Sequence, residues 1–303
     1  MTVLDLDVVD PHHHLWDLSE NRYDWLQGPL DPDRFSGENS SLRHDYLLAD
    51  YLADVGDIRL AGSVHVDAGA ADGVREARWV QGIADAAPFP MVIVAGADLS
   101  AGPAVLDPLV ELPGMRGVRQ ILNWDADPRY TFTQRDDLLR DPFWQSGFVG
   151  LGERGLSFDL QIYSPQVPDA VRLIGDHPEI PVIVNHTLMP THRPSEPFVA
   201  WRDGIRALAA LPHVSAKISG LGMSDHGWTV ESIRPYVLET IDAFGPDRAM
   251  FASNFPVDGV YADFPTIYAA FDALTADLPR AEREALFAGT ARRVYRIPTQ
   301  KDA

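Results

Sequence analysis

No cysteine occurs among the 303 residues. That absence removes a disulfide framework, a thiolate metal site and a thiol nucleophile together, so any metal must be held by histidine and carboxylate. Long apolar runs are missing as well. No stretch of about 18 consecutive apolar residues occurs, and residues 1–7 place no basic region ahead of an apolar one, so neither a membrane span nor a secretory leader is expected. A cytoplasmic location is the simplest expectation. Positive charge is scarce: 25 Lys and Arg stand against 44 Asp and Glu, a formal net charge of -19. Such a field repels polyanions, which argues against nucleic acid as a partner. A small anionic substrate stays admissible, because local arginines decide that. The phosphate-cradling spacing GxxxxGK[ST] is absent too.

What is present is a core and an alternation. Hydrophobic types make up 46% of the chain, enough for a full-sized interior. Short β-branched runs at 8–10, 60–67, 91–97, 117–122, 157–162, 181–186, 214–219 and 250–253 end in small or polar residues. Helical stretches are expected at 73–86, 136–147, 169–176, 201–210, 230–244, 264–275 and 280–295. Strands separated by helices argue for parallel pairing with helical crossovers. Eight such runs fit one closed (β/α)8 barrel over residues 1–303, an α/β fold of the TIM-barrel type. An open doubly wound sheet is the competing architecture. The Gly- and Pro-punctuated stretch within 17–45 reads as a long loop over the catalytic face of such a barrel.

Candidate chemistry gathers at strand ends. The first run continues as Val8-Val9-Asp10-Pro11-His12-His13-His14-Leu15-Trp16-Asp17, and strand alternation puts residues 12 and 14 on one side. Two inward imidazoles can share one cation; three successive histidines can also be a plain polar loop. His186 ends the run 181–186, where a lone histidine is ordinarily a packed or surface residue. In a barrel the carboxyl ends of all strands converge, and that favours a ligand or proton-transfer role.

The segments VVDPHHHLWD, GLSFDLQI, PVIVNHTLMP, VSAKISGLGM and MFASNFPVD, in this order and spacing, resemble the lactonase-like branch of the amidohydrolase-2 family. That branch includes L-fuconolactonase, sulfomuconolactone hydrolase and pyrone-dicarboxylate lactonase. The resemblance runs from residue 8 to Tyr295. It implies an amidohydrolase-type barrel and a hydrolase, with His12, His14 and His186 holding one divalent metal, zinc by first choice, or holding water directly as in metal-free members. The fifth run has Asp159 and no histidine, which argues against a two-metal site. Most members end the eighth strand with an aspartate that ligates metal or activates water; Asn254 stands there in this chain, and an amide accepts no proton at neutral pH. Three readings follow. Asn254 ligates a metal or holds the water through its carbonyl oxygen while Asp258, Asp159 or Asp67 is the base; a metal-bound hydroxide needs no base; or hydrolysis has been lost in favour of ligand binding or a different step.

Arg119 matches the family's GVR pattern and suits a carboxylate or a developing oxyanion, while a rim salt bridge is its ordinary reading, shared with Arg116. Lys217 matches a KxSG pattern and can bind an anion or sit in a structural ion pair. His65 projects inward with Asp67 if Val64 and Val66 face the helices. Trp16, Tyr23, Trp25 and Trp124 can wall a small ring or pack as core. The expected reaction is opening of a small cyclic ester, a lactone of a sugar acid or of a dicarboxylic acid. A decarboxylase and a noncatalytic binding protein on the same fold are the alternatives. The substrate is a small molecule, anionic in some readings; the chain is a monomer or homodimer; and the loops 17–45 and 187–200 set specificity.

Overall fold

The computed structural model describes residues 4–31, 35–191 and 197–299. Eight parallel strands form a single sheet: β1 Val8–His13, β2 Leu60–Val66, β3 Met91–Gly96, β4 Met115–Ile121, β5 Ser157–Gln161, β6 Val182–Val184, β7 Val214–Ile218 and β8 Ala249–Phe251. Their spatial order is their sequence order, each strand pairing with the next in parallel. This is a nearly closed α/β TIM barrel. Every expected strand is present, and β6 is shorter than its run because the chain leaves extended geometry at His186.

Helices fill the crossovers: α1 Leu48–Val55, α2 Gly73–Ala86, α3 Pro142–Glu153, α4 Val167–Asp176, α5 Phe198–Ala209, α6 Val230–Phe244 and α7 Phe264–Leu274. The stretch expected at 136–147 lies later as α3. Asp141 accepts from the amides of Phe143 and Trp144 and Pro142 takes the first turn, so cap and proline fix the start. Short helical turns at Asp24–Gln27 and Ser40–Leu42 interrupt the segment expected as loop, and helix α1 follows it. The glycines 150, 152 and 155 match a dinucleotide-binding spacing, but they fall at the end of α3 and beyond it instead of opening a helix after a strand. Among the described residues no helix is long and apolar enough to cross a membrane.

The two faces of the strands do different work. Val8, Ile93, Val118, Phe158, Val184, Ala216 and Phe251 pack outward in the large core beneath the helices. Val9, Val64, Val66, Val92, Val94, Ile183 and Met250 form a separate interior cluster, joined by Tyr295 and Ile297 from the chain's closing segment. Burying each such aliphatic side chain contributes about 1.5 to 3 kcal/mol. The interior is a packed plug, and polar side chains are held above it.

Candidate active site

Closure of the barrel builds the site. Between β8 and β1, which share no strand pairing among the described residues, a side chain makes the seam: Asp10 accepts from Ser253 N at 2.9 Å, Ser253 Oγ at 2.6 Å and Tyr51 Oη at 2.9 Å. Burial raises the Asp10 pKa, and the Ser253 hydrogen bonds oppose that shift. Above this seam, Asn254 N donates to His12 O and His14 N donates to Phe255 O, each at 2.8 Å. Asn254 is thereby placed opposite His12 and His14. Val9 packs in the interior cluster and His12 reaches interior Lys217, a change of strand parity that the register shift between Asp10 and His13 supplies.

The three histidines meet. The ring centroids of His12 lie 5.0 Å from His14 and 4.5 Å from His186. His186 opens a run of four left-handed residues, His186, Thr187, Leu188 and Met189, with φ of 53°, 50°, 62° and 45°. None is glycine, and such backbone costs roughly 1 to 2 kcal/mol per residue. The turn is held by Leu188 N to Asn185 O, Met189 N to His186 O and Trp201 Nε1 to Thr187 O. Gly220 completes the fit: a Cβ there would stand 2.7 Å from the His186 ring, at φ +67°.

Partners fix where the protons sit. His14 Nδ1 lies 2.8 Å from Val66 O, so it carries the hydrogen and leaves the Nε2 lone pair facing Asn254 Oδ1 at 3.4 Å. His12 Nδ1 accepts from Lys217 Nζ at 3.3 Å, so His12 Nε2 bears its hydrogen, and that buried atom has no partner. His186 Nδ1 pairs with Ser219 Oγ at 3.0 Å. Burial, followed by the charge of Arg119, lowers the His14 pKa to about 3. Burial together with Lys217 and Arg119 also holds His12 and His186 well below the usual range. All three are neutral imidazoles at neutral pH.

Two ion-pair networks support the cluster. Beneath it, fully buried Lys217 lies 2.6 Å from Asp159, which also accepts from Tyr295 Oη at 2.9 and 3.0 Å. Burial lowers the Lys217 pKa to about 8 against the opposing pull of Asp159. At the rim, Arg119 donates to Gln161 Oε1 at 3.1 Å and to the Asp67 carbonyl, with Asp67 Oδ2 at 3.5 Å. Behind Asp67 stands Glu76, whose carboxyl is pushed well up by burial and by the Asp67 charge, and which accepts from Ala68 N at 3.2 Å. On the other flank, burial raises the Asp258 pKa to about 7; the amides of Gly220 and Met223 and the side chain of Asn254 favour its charged form. Neither Asn254 Nδ2 nor Asp258 Oδ1 completes a hydrogen bond.

A cavity of about 240 Å³ opens above the cluster, lined by His14, Arg119, Gln161, His186 and Asn254 with Trp25 and other apolar side chains. Several expectations take a different place. His65 does not project inward, because Val64 and Val66 do; its Nδ1 accepts from Leu15 N at 3.3 Å and its ring lies edge-on to His13. Trp16 is buried behind Trp25 with its Nε1 on His44 O, and half-buried Trp124 is outside the cavity lining. Lys217 and Asp159 lie under the floor, and Asp159, held by two donors, is not free to serve as a base. Asp258 faces a small neighbouring cavity beside Gly222 and Trp228. Gln161, Ser219, Glu76 and Tyr295 were not expected. Gln161 shares the inward parity of Asp159, and Glu76 sits on the buried stripe of α2 with Ala77 and Val80, signals the sequence does contain.

The donor set does not fit a resident divalent ion. With Lys217 charged, His12 carries its hydrogen at Nε2 and keeps no lone pair for an ion, and Asn254 supplies an amide where a carboxylate would balance a dication. Among the described residues no three His, Asp or Glu side chains are arranged to hold one ion.

The model of the amidohydrolase family matches residues 9–297. "Uncharacterized protein y4mH" of Sinorhizobium fredii is 42% identical over 97% of this chain and 99% of its own. An L-fucono-1,5-lactonase of Burkholderia multivorans is 29% identical over 97% of this chain and 98% of its own. The crystal structure of a Burkholderia multivorans amidohydrolase with bound zinc superposes with a TM-score of 0.80 at 26% identity, covering 96% of this chain and 99% of that one.

Proposed function

The chain belongs to the amidohydrolase family, and we propose that it is a lactonase, opening a small cyclic ester by attack of a water held between His12, His14 and Asn254. The lactonase relative supports the reaction class. The observation that carries the reading is the set of polar atoms: His12 Nε2 without a partner, and His14 Nε2 and Asn254 Oδ1 3.4 Å apart, which their other contacts assign as one N–H and two lone pairs. A water satisfies all three by accepting once and donating twice.

In this mechanism His14 takes the proton of the attacking water at Nε2. The imidazolium that forms keeps its Nδ1–H on Val66 O. His14 is a weak base in the resting site because burial and Arg119 depress it. Negative charge developing on the lactone carbonyl oxygen beside Arg119 cancels that field, so the basicity of His14 rises as the transition state forms. Arg119, braced by Gln161 and Asp67, donates its unpartnered Nε–H to that oxygen. Collapse of the tetrahedral species breaks the ring C–O bond, and the proton returns from His14 to the alkoxide. The products are one hydroxyl and one carboxylic acid on the same molecule, and the acid releases its proton to solvent as it leaves the site. Sugar-acid and dicarboxylic-acid lactones are the first compounds to test.

A panel of lactones assayed with the native chain and His14→Ala tests this. Turnover well above buffer, lost about 100- to 10,000-fold in the variant, is expected. Buffer-level rates on every lactone overturn it, and equal metal-free and metal-supplemented rates are expected throughout.

A further inference from the structure

Six loops at the carboxyl ends of the strands each send one apolar side chain into a single cluster: Phe35, Tyr130, Tyr163, Met189, Met223 and Val257. It is separate from both barrel cores, and it collars the mouth of the cavity, where Met189, Met223 and Val257 also form wall. Trp25 adds hydrocarbon to that wall, since its Nε1–H is held by Ala68 O at 2.8 Å. Of the polar side chains that face the cavity, His14, His186, Asn254, Arg119 and the Gln161 that holds Arg119 belong to the reacting centre, and Ser36 is the one other among the described residues.

Charge points the same way. Arg119 is the sole Lys or Arg in the cavity lining among the described residues, and Asp67 counters it at 3.5 Å. Lys217 below the floor is countered by Asp159. Neither is a free counter-ion for a substrate carboxylate. A ring bearing several hydroxyls would lose water against methionine, valine and tryptophan carbon with few partners in return, and buried unpaired polar groups are strongly disfavoured.

Resting on the lactonase reading, we propose that the lactone opened here carries a neutral apolar body, an aryl or branched-alkyl substituent, in preference to free hydroxyls or carboxylates. The apolar collar would seat the substituent while Arg119 and the histidines address the ester.

The test compares three δ-lactones on the full chain: one aryl-substituted, one polyhydroxylated and one bearing two carboxylates. The aryl lactone is expected to have a kcat/KM about 100-fold above either other. Faster opening of the polyhydroxylated or dicarboxylate lactone overturns the proposal and leaves the lactonase reading intact. If no lactone is opened, the reading fails, and calorimetry with the aryl-substituted lactam, which resists hydrolysis, decides the pocket: binding tighter than a polyhydroxylated lactam supports the apolar site, and equal or weaker binding overturns it. Met223→Gln should narrow the aryl preference about tenfold, chiefly by raising KM, and Val257→Thr, which nearly conserves shape, should narrow it in the same sense. An unchanged ratio in folded samples of both variants overturns the proposal.

Discussion

The interior of the barrel is two materials stacked along one axis. The inward apolar positions are Val9, Val64, Val92, Ile183 and Met250; the inward polar ones are His12, Arg119, Asp159, Gln161 and Lys217, which form the site and the ion pair under it. The same alternation builds both, yet the lower half is held by packing and the upper half by satisfied charge and hydrogen bonds. Tyr295 joins them, its ring in the lower cluster and its hydroxyl on Asp159. A defect in the lower half should therefore change stability with little change in chemistry, and one in the upper half should change both.

The largest break is expected at the junction. Lys217→Met leaves Asp159 buried with Tyr295 as its remaining donor, and removal of one member of a buried ion pair costs about 3 to 5 kcal/mol. Chemical denaturation should show that loss, and the double variant Lys217→Met/Asp159→Asn should recover much of it because the uncompensated charge is gone. Recovery of stability without activity would separate structural pairing from the role of Lys217 in fixing the His12 tautomer. A single variant as stable as the native chain would refute the contrast.

Val94→Ala sharpens the other side. It removes two methyl groups from the packed lower cluster, and the lost transfer and cavity terms come to about 1 to 3 kcal/mol. The denaturation midpoint should fall while kcat and KM below the transition stay within about twofold of native. A large kcat loss in folded protein would mean that the plug positions the site more tightly than its composition suggests.

How far the sequence discloses this division depends on the residue. The strands were legible because β-branched runs stop at polar residues, and His12, His14 and His186 because barrel geometry brings strand ends together. The orientation of β2 was not legible: in a barrel both faces of a strand are buried, so Val64-His65-Val66 alternates without saying which side is inside. The same ambiguity lets His65 read as a cavity residue in the sequence. Tyr295 reaches Asp159 from 136 residues away, with no local pattern to mark it. Asp10 was part of a recognisable motif, but its role in completing the β8–β1 seam becomes visible only when Ser253 stands beside it. Loop residues 192–196, within a segment expected to set specificity, lie outside the described residues.

The smallest effect expected concerns pH, where buried groups pull in opposite directions. His13 and His14 have folded pKa values lowered from 6.5 to about 3, chiefly by burial, so the stability they contribute is present above 6.5 and lost as pH falls toward 3. Asp258 is raised from 3.8 to about 7, so its contribution is present below 3.8 and lost as pH rises through 7. Stability should therefore peak between these limits. Activity should rise through pH 7 instead. Ionised Asp258 attracts the amide N–H of Asn254 and leaves Asn254 Oδ1 toward His14, whereas a protonated Asp258 can donate to that oxygen and turn the amide round. Measured from pH 5.5 to 8.5, kcat/KM should gain a few-fold about an apparent pKa near 7, and Asp258→Asn should remove that step while leaving the protein folded. A step that persists in the variant would assign the titration to another group and free Asn254 from control by Asp258.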